Sequence, residues 1–431
     1  MPAEAAGAEP AIIVGSREQL LHLLAEAAEV EHTLMCSYLY AAFSLKRAGE
    51  PGVSEAQGAA LERWRKAIID VAVEEMGHLV IVANLTVAVG GRPHFGRPAF
   101  PVAPGYFPSG VAVRLTRFDA ETLEHFIFLE RPQGMDGDDG PSFVQDDYDR
   151  EQARPGLMPS AQDYATIGHL YDAIRANLRA LYERLGREAL FLGDAAGQLG
   201  PGAIDLEGVR PITDLADAER AIDVVVEQGE GSSADRDDSH YRSFLAIRDE
   251  LAELMRDDPA FDPAWPVADS PVLRRPAEPD GRVYVDAPEA ARLLDFACAV
   301  YGLLLRCLVQ SFGRPGPSAV DEQKMLISVA IDLMHVLGDA STRLARLPAS
   351  PGCDKVNAGM SFTMLRGVEP LLPGAVERSL LSERAAGLLA VQIDLGADAV
   401  KALARAAATL ADWQSDVVIG RSSPADARRH H

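Results

Sequence analysis

Two segments near the N-terminus carry carboxylate and imidazole side chains at spacings that let them share an ion. Glu31 has Ala27, Ala28, Leu34 and Met35 as its helical neighbours three and four residues away, so it points into a core. A lone buried carboxylate costs roughly several kcal/mol of lost hydration unless it is paired, protonated or metal-bound. Glu29, beside Ala25, Glu26, His32 and Thr33, reads as surface. Further on, Glu75-Met76-Gly77-His78 sits in mid-helix. Glu75 is flanked by Ile68, Val71, Ala72, Leu79 and Val82, and His78 faces Ile81, Val82 and Leu85. Glu at i and His at i+3 share one helix face, which is the half-site by which helical bundles hold iron or manganese pairs. Glu74 turns toward Asp70 and Gly77 and is the weaker candidate.

A complete site of that kind takes one Glu from each of two helices and a Glu-x-x-His from each of two others. Thr166 to Tyr171 offers His169, whose neighbours Ala165, Thr166 and Ala173 form a small-residue face that admits an ion. A helix histidine bonded to Asp172 or to backbone explains the same residues. Ile222 to Gly231 offers Glu227 and Glu230 on one face, with Glu where His is expected, and His240 follows after a glycine-rich turn to supply the nitrogen. The alternative is a solvated acidic stripe of Asp223, Glu227 and Glu230. The valine run 224–226 argues for burial, and a Glu at a helix C-terminus is unfavourable without a nearby cation.

These residues need helices to position them, and the apolar spacing predicts helices over 17–47, 55–89, 119–130, 161–187, 216–229 and 239–256. Ser16, with Gln19 three residues later, marks the first N-terminus. Residues 91–110, rich in Pro, Gly and aromatics, read as an ordered crossover, and 111–118 alternate like a short strand. The acidic stretch 131–160 reads as a surface loop, with Phe143, Tyr148 and Met158 leaving a lid open. Prolines and aspartates crowd 257–288, the expected linker, and helices are predicted at 289–312, 319–346 and 376–413. The expected organisation is all-α: a metal-binding domain over 15–256, the linker, and a helical domain over 289–415. The loop from Asn357 to Phe362 is a candidate cover for the pocket.

The chain has 431 residues, with 41 Lys plus Arg against 64 Asp plus Glu, for a formal charge of −23. Such a surface repels phosphate backbones and anionic lipid, so neither nucleic acid nor membrane is an expected partner. The four cysteines form no C-x-x-C pair, and no basic-then-apolar leader opens the sequence. No stretch is expected to be long and apolar enough to span a bilayer; the best, Phe296 to Val309, contains Arg306. The expected setting is the cytoplasm. A glycine-rich nucleotide loop, a G-x-S-x-G elbow and a C-x-x-C-H haem motif are all missing from the sequence.

Several segments, taken in order, carry a family resemblance: Glu31 to Ala42, Glu74 to Leu79, Arg97 to Pro101, Phe126 to Pro132, Thr166-Ile167-Gly168, and Val226 to Gly231 with Ser239-His240-Tyr241. Together they resemble the ferritin-like domain of the iminophenyl-pyruvate dimer synthase family, the violacein-pathway type, over roughly residues 15–255. The resemblance implies a ferritin-like four-helix bundle with a metal core, joined by the long Pro/Gly-rich crossover, and a role in natural-product assembly from amino-acid-derived imines. Members usually carry an acidic residue after Thr-Ile-Gly, where this chain has His169, so the site is expected to be richer in nitrogen and to hold a second metal more weakly. The chain is also far shorter than the violacein-pathway enzyme, so the dimerisation chemistry is not implied.

The expected ligands are therefore Glu31, Glu75, His78, His169, Glu227, Glu230 and His240. Hard carboxylates with imidazole suit iron, one or two ions, with manganese or another divalent metal as substitutes. The first reading is an oxidative enzyme that brings dioxygen to a small amino-acid-derived substrate. Iron storage or ferroxidase action is the second, and a metal-free helical interaction protein the third; a homodimer is left open. The long crossover, acidic loop and second domain favour a shaped substrate pocket over storage.

Overall fold

The computed structural model describes residues 11–420 except 104–105, 108–110, 136, 145–163, 230–238, 315, 317 and 365–367. Its first helix, α1 (Arg17–Ser44), begins where Ser16 Oγ accepts from Gln19 N at 3.2 Å. The second, α2 (Glu55–Ala88), opens with a reciprocal box: Ser54 Oγ accepts from Gln57 N, and Gln57 Oε1 accepts from Ser54 N at 2.8 Å. Both are apolar on more than one side, which is the pattern of central helices. Then come α3 (Ala120–Leu129), α4 (Ile167–Leu185), the single turn α5 (Arg187–Leu190), α6 (Leu215–Gly229) and α7 (His240–Asp257).

Packing closes a ring. Helix α1 lies on α2 and α4, α6 lies on α4 and α2, and α7 lies on another stretch of α2 and on α3. The crossover between α2 and α3 buries Phe95, Phe100 and Phe107 against this ring. The strand expected over 111–118 does not form; only Val113 pairs, antiparallel to Val102. The neighbouring backbone groups are taken by side chains instead: Leu115 N donates to Ser270 Oγ and Phe118 N to Ser44 Oγ. With its donors used this way, the segment has no ladder to extend.

Residues 257–288 run against the C-terminal end of α1. Trp265 N donates to Ser44 O and Lys46 N to Pro263 O, each at 2.9 Å. A two-residue parallel pair, β1 (Pro271–Val272) with β2 (Val283–Tyr284), follows. Helices α8 (Pro288–Ser311), α9 (Ala319–Leu344), α10 (Ala375–Ala390) and α11 (Ala397–Gly420) then pack α8 on α9, α9 on α11, and α10 on both α8 and α11. The single helix expected over 376–413 is thus two. Its break is anchored by Gly396, whose N–H donates to Asp339 Oδ2 at 2.9 Å and whose missing Cβ would stand 2.7 Å from that carboxylate.

Helix α9 also touches α1, and the buried apolar side chains form one cluster from Ile12 to Trp413. Contrary to expectation, two helices, α8 and α9, are long and apolar enough to cross a membrane. The apolar window of α8 is 72% buried inside the protein and that of α9 50%. The loop from Asn357 to Phe362 is no surface cover. All six residues are buried, and Gly359 lies so close to the Tyr40 ring that a Cβ would meet Tyr40 Oη at 2.1 Å. Of the stretch considered as a lid, Phe143 is buried and stacks on His125 at 3.9 Å; Tyr148 and Met158 fall outside the described residues.

Candidate metal centre

Five side chains from four places in the chain meet inside the ring. Glu31 comes from α1, Glu75 and His78 from α2, Glu130 from the C-cap of α3, and His240 from the first position of α7. None is more than 3% exposed. They form two triads with ligand atoms mutually within 4.8 Å: Glu31–Glu75–His78 and Glu75–Glu130–His240. Glu75 belongs to both. Its Oε2 lies 3.3 Å from His78 Nδ1, and its Oε1 lies 2.9 Å from His240 Nδ1. His78 Nδ1 is 3.4 Å from Glu31 Oε2, and His240 Nδ1 is 3.7 Å from Glu130 Oε2.

A second layer of hydrogen bonds aims each ligand. His78 Nε2–H donates to Gln228 Oε1 at 2.9 Å, and the Gln228 amide is oriented by its own donation to Glu207 at 3.1 Å. His240 Nε2–H donates to Glu74 Oε2 at 2.9 Å. With Nε2 committed as the donor in both rings, Nδ1 is the nitrogen that each ring turns toward the carboxylates. Tyr171 Oη, from α4, donates to one oxygen of Glu31. Tyr38 Oη donates to Glu130 Oε1 at 2.5 Å, its ring held by Phe126 and Phe244. Each outer carboxylate therefore has one oxygen tethered and the other turned to a histidine.

The electrostatics show groups that are costly to bury without a cation. Burial, and then the adjacent Glu75 carboxylate, push the Glu31 carboxyl up to about 8. For Glu75, burial acts upward but is outweighed by the hydrogen bond from Glu31 and the charges of His240 and His78, which hold it well below the usual range. Burial alone would lower the two histidines. Glu75 and Glu31 instead raise His78 to about 10, and Glu75, Glu130 and Glu74 raise His240 well above its ordinary value.

The donor set fits a metal. Three buried carboxylates face two imidazoles, hard donors of the kind that iron and manganese favour. His240 Nδ1 lies 2.9 Å from Glu75 Oε1, an ion-pair distance, yet the contact is not aligned as a hydrogen bond, and among the described residues that buried nitrogen makes none. The distance and the missing bond disagree only if the pair is read as a hydrogen bond. Two ligand atoms sharing an ion approach closely without pointing at one another.

Of the residues expected from sequence, Glu31, Glu75, His78 and His240 converge. His169 and Glu227 belong to neither triad. His169 is buried in the first turn of α4, but it is Tyr171, two residues and about 200° further round the helix, that reaches Glu31. On α6 it is Gln228 that faces His78; half-buried Glu227 is turned about 100° away from it. Glu230 lies outside the described residues. Asp223 pairs with Arg175 at 2.5 Å on the outer side.

Glu130, which joins the second triad, was not among the expected residues. Its signal was present: a carboxylate at a helix C-terminus, directly after the apolar Phe126-Ile127-Phe128-Leu129, is unfavourable without a cation. Val30 and Leu129, which immediately precede Glu31 and Glu130, also line a small cavity of about 40 Å³ with Leu34, Phe107, Tyr164 and Ile167.

A helical ring whose inner faces carry carboxylate–histidine triads with a shared glutamate defines the ferritin-like class of metal-site bundles. The Ferritin-like family model matches residues 24–249, and the chain belongs to that family. It is 28% identical over 393 residues to dichlorochromopyrrolate synthase of Lentzea aerocolonigenes, covering 81% of this chain. It is also 28% identical over 400 residues to 2-imino-3-(indol-3-yl)propanoate dimerase of Chromobacterium violaceum, covering 87% of this chain. The match spans only 36% of each of these curated relatives. A solved ferritin-like protein from Caulobacter vibrioides is 19% identical, with a TM-score of 0.49, over 78% of this chain and 98% of that one.

Proposed function

We propose that the chain is a non-haem iron enzyme that oxidises a small amino-acid-derived substrate in natural-product biosynthesis. The observation that carries the reading is the pair of triads sharing Glu75. Bound iron would supply redox chemistry with dioxygen. The protein's own residues hold and orient: Glu75 presents one oxygen to each half of the site, and Tyr171 and Tyr38 fix the outer carboxylates. Gln228 and Glu74 keep the imidazole protons on Nε2 and away from the site. Burial of all five ligands excludes bulk water from the centre.

The substrate class is supported by the two relatives, whose names denote a synthase of dichlorochromopyrrolate and a dimerase of an indolyl imino acid. Residues 289–415 act as the helical companion domain of this site. The test is anaerobic loading with ferrous iron, then addition of dioxygen with an aromatic 2-oxo acid and ammonia as imine source. Iron-dependent oxidised or coupled product, read by mass spectrometry, is expected. Iron oxidation and uptake with no organic turnover over a panel of such acids would replace this reading with ferroxidase action.

A further inference from the structure

The chain carries a formal charge of −23, yet one cavity of about 230 Å³ is lined by four arginines: Arg97, Arg274, Arg275 and Arg282. The first lies deep. Arg97 is only 9% exposed, donates to the carbonyls of Pro98 and Phe362, and sits over the Phe100 ring at 4.4 Å. Its guanidinium also lies 6.0 Å from the centre of the Tyr301 ring. At the mouth, Arg274 and Arg275 are exposed, and among the described residues neither takes part in an ion pair. Among the described residues, Arg282 has only Asp280 as an acidic partner, at 3.5 Å. Phe100, Val272, Leu273 and Met364 supply apolar wall between the guanidinium groups.

This cleft lies apart from the metal ligands, none of which lines it. Guanidinium forks match carboxylate oxygens two at a time, and a cationic cleft on an acidic protein concentrates anions at one place. An oxyanion entering the cleft would meet the exposed, unpaired Arg274 and Arg275 at its mouth, while its apolar part would cover Phe100 and Leu273. We propose that this cleft is a binding site for a small carboxylate with an apolar body. The assignment does not depend on the reaction proposed above.

The test is calorimetric titration of the full chain with phenylacetate, using its neutral analogue 2-phenylethanol and inorganic phosphate for comparison. Saturable one-to-one binding of phenylacetate is expected, weakened at least tenfold in the double variant Arg274→Ala/Arg275→Ala, whose exposed positions leave the fold intact. Binding should weaken with added salt and persist in protein stripped of metal by chelation. Unchanged affinity in the double variant would overturn the assignment. So would equal affinity for 2-phenylethanol, equal competition by phosphate, or loss of binding in the metal-stripped protein, which would put the ligand at the carboxylate–histidine centre.

Discussion

Glu75 Oε1 and His240 Nδ1 stand 2.9 Å apart without forming an aligned hydrogen bond, although one residue is in the middle of α2 and the other opens α7. Through this contact the second triad is joined to the first, because the other Glu75 oxygen faces His78.

The sharing of Glu75 separates the expected effects of two alanine variants. Glu75→Ala removes a donor from both triads and should abolish binding of two ferrous ions per chain. Glu130→Ala removes a donor from one triad only and should leave one ion bound. Iron per chain by elemental analysis, with helix content by circular dichroism, checks this. Equal iron content in the two variants would show that Glu75 does not bridge.

Tyr171→Phe keeps the buried ring and deletes only the hydroxyl that orients Glu31. Loss of such a supporting bond is expected to weaken metal binding roughly 10- to 100-fold while the fold persists. Ferrous titration of wild type and variant under anaerobic conditions reads it directly. An unchanged dissociation constant would mean that packing alone positions Glu31.

Neither His169→Ala nor Glu227→Ala should change metal stoichiometry, since neither side chain belongs to a triad. The same titration is the check. A loss of one ion in either variant would require that side chain to swing into the centre, and for His169→Ala would restore the nitrogen-rich site suggested by its place after Thr-Ile-Gly.

Glu377 supplies a pH-dependent term far from the metal. It is fully buried and accepts from Arg314 Nη1 and Nη2 at 2.9 and 2.8 Å and from Gly374 N at 2.9 Å. Burial pushes its carboxyl up, but the hydrogen bonds and charge of Arg314 dominate and hold it below the ordinary 4.5. A depressed folded-state value means that the contribution is complete above the unfolded value near 4.5 and is lost as pH falls through the folded one. Glu377→Gln should cost about 1–3 kcal/mol at neutral pH, because Arg314 loses one of two carboxylate partners and keeps Glu322. It should also flatten the fall in stability below the unfolded value. Urea unfolding across that range tests both; parallel curves for variant and wild type would refute the linkage.

The sequence by itself determined the helices and half of the centre. Spacing along one helix fixes which side chains share a face, so Glu75 and His78 could be paired, and Glu31 placed inward, from neighbours three and four residues away. Cap chemistry at Ser16 is equally local and reads directly into the start of α1. The tertiary structure alone decided which residues from separate elements meet. Glu130 caps one helix and His240 opens another, so neither has a periodic partner to betray its direction. The choice of Tyr171 over His169, and of Gln228 over Glu227, turns on how α4 and α6 are rotated against α1 and α2, and that rotation is set by packing around the whole ring. The four arginines of the cleft come from the crossover and from the segment after α7, and no spacing within either could have brought them together.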